Sequence, residues 1–592
     1  MGVKKFFPWL RANFAECITK VPTGDPLTSR IDNAGIDMNG LFHACAQNVW
    51  QYGKGAPLPK NKRLISRTTS RGPSFASSKP ATPAPPTPEE LYLKFYQTVC
   101  DEVLRFFRVT RPRRLILCID GVAGASKMAQ QRQRRFVSMR DSPPAPGKFS
   151  SVELTPGTRT ELELSEYLDR WIRDQLTNNP EFEDTEVVYS DQTVHGEGEH
   201  SIIYAFKHFG QPGESYSVLG ADADLIFLTL GTMLDNVYLI REDHNDRSWS
   251  YIVDIGAIRR SLSFKMVPRE YRDPRVTEQE YLERATRDFL LVAYTIGNDF
   301  LPILPTFDMM HNVLDICIDT YQKLHFNAPQ WLSDQVDTPR GPEIHLNESA
   351  FAEFLRDIGT CEATLATKSI MDRQAYPNIL LSSYTDVSRE PPLVRFGEYK
   401  TAYYENYFPC HDSHTACREY LYGMRWVLQY YLHGSPDYHW YYPFHYAPFA
   451  SDMAEALGSF ELNTPFPRNP PLSQVEQLMC VLPRQGKHLL PKSLRNFHDD
   501  PRVSEYYPVQ FDLDYAGKHL EYEAIVLLPM VDLQAIQEIF SEAELTEEEQ
   551  YLNRSGDVRW YRRNKWRIVP FSSAYGDIPN CTAVVETVTW RQ

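Results

Sequence analysis

The stretch Arg113–Gly121, RRLILCIDG, decides the fold. A short, unbroken apolar run, Leu115 to Ile119, ends on one acid, Asp120, and a glycine. So short and continuous a run reads as a strand buried on both faces, the kind found in parallel sheets. The pattern recurs on either side. Ala34–Phe42, AGIDMNGLF, ends an apolar run at Asp37, and Thr185–Asp191, TEVVYSD, leads into Gly196–Phe209, GEGEHSIIYAFKHF. Tyr216–Leu230, YSVLGADADLIFLTL, carries Asp222 and Asp224 after its apolar run. Helical segments lie between the strands, so the predicted class is α/β with a mostly parallel sheet. Ligands of such sheets bind beyond the carboxyl ends of the strands, which is where these acids fall.

Seven carboxylates therefore stand out: Asp37, Asp120, Glu197, Glu199, Asp222, Asp224 and Asp299. One acid after a strand is most often a helix cap or a turn residue. Two pairs at i, i+2 spacing, GEGE and DAD, together with the other three acids, are harder to explain that way. Gathering so many acids is costly unless cations neutralise them. Hard oxygen ligands suit Mg²⁺, with Mn²⁺ as the alternative, and such a cluster suits metal-assisted phosphodiester hydrolysis.

Just behind Asp120 comes Lys127–Met139, KMAQQRQRRFVSM. On a helix, Lys127, Gln131, Arg134 and Arg135 fall within an arc of about 100°, with Arg132 outside it. A solvated basic face is the common fate of such a run. Beside an acid cluster and near a helix N-terminus, the face also suits a terminal phosphate. That combination predicts an exonuclease entering at a 5′ end.

The chain as a whole is acidic, with net charge −15 over 592 residues, so nucleic acid must be met by local basic patches. Hydrophobic content of 42% is ample for a large core. Ten cysteines without a repeated spacing read as reduced intracellular thiols. The N-terminus has no signal-peptide apolar region, Phe6 stands where a myristoylation motif needs Ser or Thr, and no apolar run is long enough to span a bilayer. A soluble, intracellular protein without a membrane partner is expected. Cys410, His411, His414 and Cys417 are zinc-competent residue types, but their spacing is not that of a standard finger.

Longer motifs then accumulate in order. MGVKKFFPWL, DMNGLFH, DGVAGASKMAQQRQRRF, GEGEH, ADADLIFL and GNDFLP resemble the opening and first conserved region of the 5′→3′ exoribonuclease family that includes the Xrn and Rat proteins. WVLQYYLHG, HWYYPFHYAPF, VLP…LLP and VLLPMVD resemble its second. The resemblance implies a sheet core like that of PIN and flap nucleases, walled by a helical, aromatic-rich second region. It implies that all seven acids are the metal-binding catalytic set. It assigns Lys127, Gln131, Arg134 and Arg135 to a 5′-monophosphate pocket, and His43 and Trp440 to stacking on the first base. The implied substrate is single-stranded RNA with a 5′-monophosphate, degraded processively to mononucleotides in RNA decay or processing by a monomer. A flap-type or DNA 5′ exonuclease and an inactive RNA-binding scaffold are the alternatives.

Departures from the family pattern are specific. Gly124, Ala125 and Ser126 stand where the family has Pro-Arg-Ala, His195 replaces the usual Pro, and Arg140–Thr158 is short where relatives carry a helical hairpin. The expected organisation is a nuclease core over 1–310, with a disordered Pro/Ser/basic insertion at about 53–88. A connecting segment over 311–400, the helical second region over 401–553 and a C-terminal extension over 554–592 follow.

Overall fold

The apolar runs are strands. β1 (Ile18–Pro22), β2 (Asn33–Asp37), β3 (Arg114–Cys118), β4 (Glu186–Ser190), β5 (Tyr216–Leu219), β6 (Val237–Glu242) and β7 (Trp249–Asp254) come from the first half of the chain. β8 (Val558–Arg563) and β9 (Ala583–Val588) come from its end. This computed structural model describes residues 5–52, 86–142, 148–220, 222–243, 246–326, 329–409 and 412–589. The nine strands form one sheet in the order β1-β7-β6-β5-β2-β3-β4-β8-β9. The central run β6-β5-β2-β3-β4 is parallel, and the pairings at both flanks are antiparallel. The chain winds outward from β2 in both directions, so a topological switch point lies between β2 and β5. The predicted α/β class with a mostly parallel core holds.

Every residue of β3 is buried, as a strand covered on both faces requires. Apolar clusters pack on the two sides of the sheet. Gly35 in β2 shows how tightly: a Cβ there would lie 2.5 Å from Ile202 of the Gly198–Phe209 helix. Adding that methyl would cost about 1–3 kcal/mol through overpacking. A further cluster joins Met128, Phe136 and Met139 of the Ala125–Asp141 helix to Leu478, Leu482, Tyr507 and Ile536 far along the chain.

The second half holds a long helix, Ser413–His433, buried along most of its length. The following aromatic run is extended chain rather than helix, and short 3₁₀ turns punctuate 484–506. The expected Gly53–Pro88 insertion lies, as far as residue 85, outside the described residues. Pro88 itself starts a helix, Pro88–Thr110, capped by Thr87 and Glu90. Cys410 and His411 also lie outside the described residues; His414 bonds Ser459 and Cys417 is buried. Among the described residues, no helix is long and apolar enough to cross a membrane.

Candidate active site

The acids line the carboxyl edge of the parallel strands. Asp37 is the last residue of β2, and its Oδ1 accepts from the Asn39 N–H at 3.3 Å, capping the Met38–Trp50 helix. Asp120 lies two residues beyond β3. Its N–H donates to Asn39 Oδ1 at 2.9 Å, and its own Oδ1 accepts from the Gly198 N–H at 2.7 Å. The glycine between the two glutamates has a steric reason: a Cβ at 198 would lie 2.9 Å from the Cys118 carbonyl oxygen. Glycine lets this helix N-terminus seat itself on the end of β3. Glu197 is the N-cap and Glu199 is in the first turn. Asp222 follows β5 and accepts from the Ala223 N–H at 2.7 Å, and Asp224 begins the Asp224–Gly231 helix. Asp299 arrives from elsewhere, two residues after Gly297, whose φ of 80° turns the chain.

Electrostatic influence links each of these carboxylates to at least one other. Burial pushes the Asp37 carboxyl up to about 8, with Asp120 and Asp222 adding to the rise. Burial, then Glu197, pushes Asp120 up to about 6. Glu199 and Asp224 are driven well above the carboxylate range by burial and then by their acidic neighbours. Burial alone would raise Asp299 too, but the Lys127 and Arg134 cations hold it well below the usual range.

Lys127 is the hinge between acid and base. Its Nζ lies 2.5 Å from Glu197 Oε2 and 3.0 Å from Asp299 Oδ2, and the Tyr430 hydroxyl donates to the other Glu197 oxygen. Among the described residues, no three His, Cys, Asp or Glu side chains converge on ligating geometry, and the lysine ammonium supplies the counter-charge. The donor set nevertheless fits a hard divalent cation. It is all carboxylate, and the buried Asp224 Oδ1 has no hydrogen-bond partner among the described residues.

The basic face forms as the helical spacing predicts. Lys127, Gln131 and Arg135 are turned inward, while Arg134 is 43% exposed and 3.9 Å from Asp299. Arg135 donates through Nε and a terminal nitrogen to Thr155 Oγ1, at 3.1 and 2.9 Å. Gln131 Oε1 is buried and has no hydrogen-bond partner among the described residues. Arg132 points elsewhere: it donates to the carbonyls of Cys480 and Tyr506 and stacks on Phe136 and Tyr507. His43 is half-buried. Burial, then Arg135 and Arg134, lowers it to about 4, so its ring is neutral beside the arginines. Trp440 is half-buried, its ring tilted 33° to that of Trp426 with centroids 4.9 Å apart, and seated over Gly423, where a Cβ would lie 2.8 Å from it. The aromatic segment closes on the basic helix where Ala125 N–H donates to the Tyr438 carbonyl at 2.8 Å.

One residue of this site escaped the sequence reading. Glu161 is fully buried, both its carboxylate oxygens lack a hydrogen-bond partner among the described residues, and Asp120, Arg135 and Asp191 are its charged neighbours. Thr158 and Glu161 have capping-box spacing, and Thr158 does cap the helix. The carboxylate, however, does not reach back to the cap.

Comparison with known proteins bears on this geometry. The family model for the XRN 5′-3′ exonuclease N-terminus matches residues 1–68 and 76–243, and that for the Xrn1 helical domain matches 279–390 and 387–571. A "5′-3′ exoribonuclease 2 homolog" of Drosophila melanogaster is 27% identical over 95% of this chain and 74% of its own length. The "5′-3′ exoribonuclease 1" of Homo sapiens is 26% identical over 100% of this chain and 37% of its own length. The Saccharomyces cerevisiae protein of the same name is 24% identical over 95% of this chain, which spans 45% of it. With an acid-lined parallel sheet under one model and an aromatic-walled region under the other, the chain belongs to the Xrn family of 5′-3′ exonucleases.

Proposed function

We propose that the protein is a 5′→3′ exoribonuclease that removes mononucleotides one at a time from single-stranded RNA bearing a 5′-monophosphate. The observation that carries this reading is the position of Lys127. Its ammonium contacts two acids of the cluster while its helix carries the basic face, which supports a terminal-phosphate pocket next to the hydrolytic site.

In this reading Lys127, Gln131, Arg134 and Arg135 hold the terminal phosphate, with charge-assisted hydrogen bonds from the arginines. The neutral ring of His43 and the indole of Trp440 hold the first base by stacking, which is indifferent to sequence. Asp37, Asp120, Glu197, Glu199, Asp222, Asp224 and Asp299 would hold Mg²⁺ or Mn²⁺. Bound there, the metal would lower the pKa of the attacking water and stabilise the leaving oxygen. Asn39 and the Gly198 N–H fix Asp120, and Tyr430 fixes Glu197, so the carboxylates are oriented before substrate arrives.

The test uses RNA labelled on its first nucleotide or at its 3′ end, with Mg²⁺, with EDTA, or with Asp222→Ala protein. The expected result is labelled mononucleotide from the 5′ end, with Mg²⁺ and wild-type protein only. Internal fragments would point to a flap-type cutter, and RNA bound but never shortened would point to a scaffold.

A further inference from the structure

The loop that carries Glu197 is held from two sides. Residues 191–196 connect β4 to Glu197. On the inner side the Gly121 N–H donates to the Gly196 carbonyl, and the Gly196 N–H to the Val122 carbonyl, each at 2.8 Å. A Cβ on Gly121 would collide with the Val194 carbonyl oxygen, so the two segments lie as close as backbones can.

On the outer side lies the chain just after the helical second region. Asn553 Oδ1 accepts from the Val475 N–H at 2.8 Å, and the Arg554 carbonyl accepts from Gln474 Nε2 at 2.9 Å. Ser555 Oγ is 3.1 Å from His195 Nε2, and the Gly556 N–H donates to the Thr193 carbonyl at 2.9 Å. Any Cβ on Gly556 would collide with the Thr193 hydroxyl. β8 then pairs antiparallel with β4, with Arg559 opposite Tyr189. The Arg559 guanidinium reaches Asp191 Oδ2 at 2.5 Å and Asp169 Oδ1 at 3.0 Å. Asp191 Oδ1 in turn accepts from the Thr193 N–H at 3.0 Å and its hydroxyl at 2.5 Å.

We propose that residues 553–561 form a strut for the glutamate loop, and that Arg559 is a positioning residue acting through Asp191. The strut is anchored to the body of the molecule at Asp169 and at Val475. It holds the loop at its start, Asp191, and in its middle, Thr193 and His195. Glu197 and Glu199 follow directly, so slack at Asp191 is passed to both carboxylates. A connecting loop without regular structure depends on such tertiary contacts for its rigidity, and the inner bonds fix its end at Gly196 while the strut fixes its start and middle. Misplacing catalytic groups by a fraction of an ångström costs rate more than binding. The inference rests on the proposed exonuclease function, in that it assigns these glutamates to catalysis.

The test uses the full chain with Arg559→Gln and, separately, Ser555→Ala. Amide hydrogen exchange is followed in peptides covering 191–200 and, as reference, 30–40. kcat and KM are measured on 5′-monophosphate RNA. The expected result for Arg559→Gln is faster exchange confined to 191–200, a fall in kcat of about tenfold or more, and KM within about twofold of wild type. Unchanged exchange in 191–200, or unchanged kcat, overturns the strut. If Arg559→Gln loosens the whole chain, Ser555→Ala decides: local loosening of 191–200 supports the strut, and its absence overturns it. Failure of the functional reading is distinct, because wild-type protein would then release no nucleotide, while the exchange comparison keeps its meaning.

Discussion

The carboxyl edge of the sheet and the loop-rich chain from Gly434 to Val531, with its short helices Ala450–Ala456 and Gln474–Val481, wall the same site by opposite means. At the sheet edge, backbone pairing does most of the placing: in-register parallel strands bring the ends of β2, β3 and β5, and with them Asp37, Asp120 and Asp222, side by side. Across from it, side chains hold backbone. Arg132 bonds the carbonyls of Cys480 and Tyr506, the Tyr507 hydroxyl bonds the Met479 carbonyl, and Arg484 bonds those of Tyr507 and His498. Gln477 Oε1 accepts from the Ala123 N–H at 2.8 Å. A sheet edge built this way tolerates charged residues at its rim, because the fold does not depend on them. The opposite wall has little regular structure to fall back on, so its buried polar bonds are structural.

Substitutions on the two walls should therefore fail differently. The largest effect falls on the sheet edge. Asp120→Asn should lower kcat by about a thousandfold or more while leaving RNA binding and thermal stability near wild type. Single-turnover rates and a filter-binding titration would check it; parallel loss of binding would argue that Asp120 is structural instead.

Next comes the basic face. Lys127→Met should slow 5′-monophosphate RNA by about a hundredfold and bring it close to the rate on 5′-hydroxyl RNA. Retained preference for the phosphate would remove the pocket assignment. On the opposite wall, Trp440→Ala removes a stacking surface of about 1–3 kcal/mol, so the enzyme should release its RNA after fewer nucleotides per encounter. Product ladders with a trap RNA would show this. The smallest effect on chemistry, and the clearest contrast, is Arg132→Ala. It leaves buried carbonyls unsatisfied and should cost about 2–4 kcal/mol in denaturant unfolding, with 5′-end preference intact.

The legibility of the sequence divides along the same line. RRLILCIDG and AGIDMNGLF carry their strand character locally, and the position of an acid after a buried strand follows from sheet geometry alone. The helical arc of Lys127, Gln131, Arg134 and Arg135 was equally local, and it placed Arg132 off the face, where it is found. Glu161 was hidden because its spacing from Thr158 imitates a cap, and only tertiary packing turns it inward. The strut was hidden for a related reason. Arg559 and Asp191 are 368 residues apart in the chain, and no local pattern joins them. Tyr430, which bonds Glu197 from 233 residues away, is the same case.

The central claim is that the acid edge and the basic face act as one site that counts from a terminal phosphate. It is tested most directly by presenting wild-type and Lys127→Met protein with the same single-stranded RNA carrying a 5′-monophosphate, a 5′-hydroxyl or a 5′-triphosphate, and measuring the release of the first nucleotide. The account predicts fast release by wild type from the monophosphate alone and a near-equal, slow release from monophosphate and hydroxyl ends by the variant. Equal wild-type rates on all three ends would contradict it.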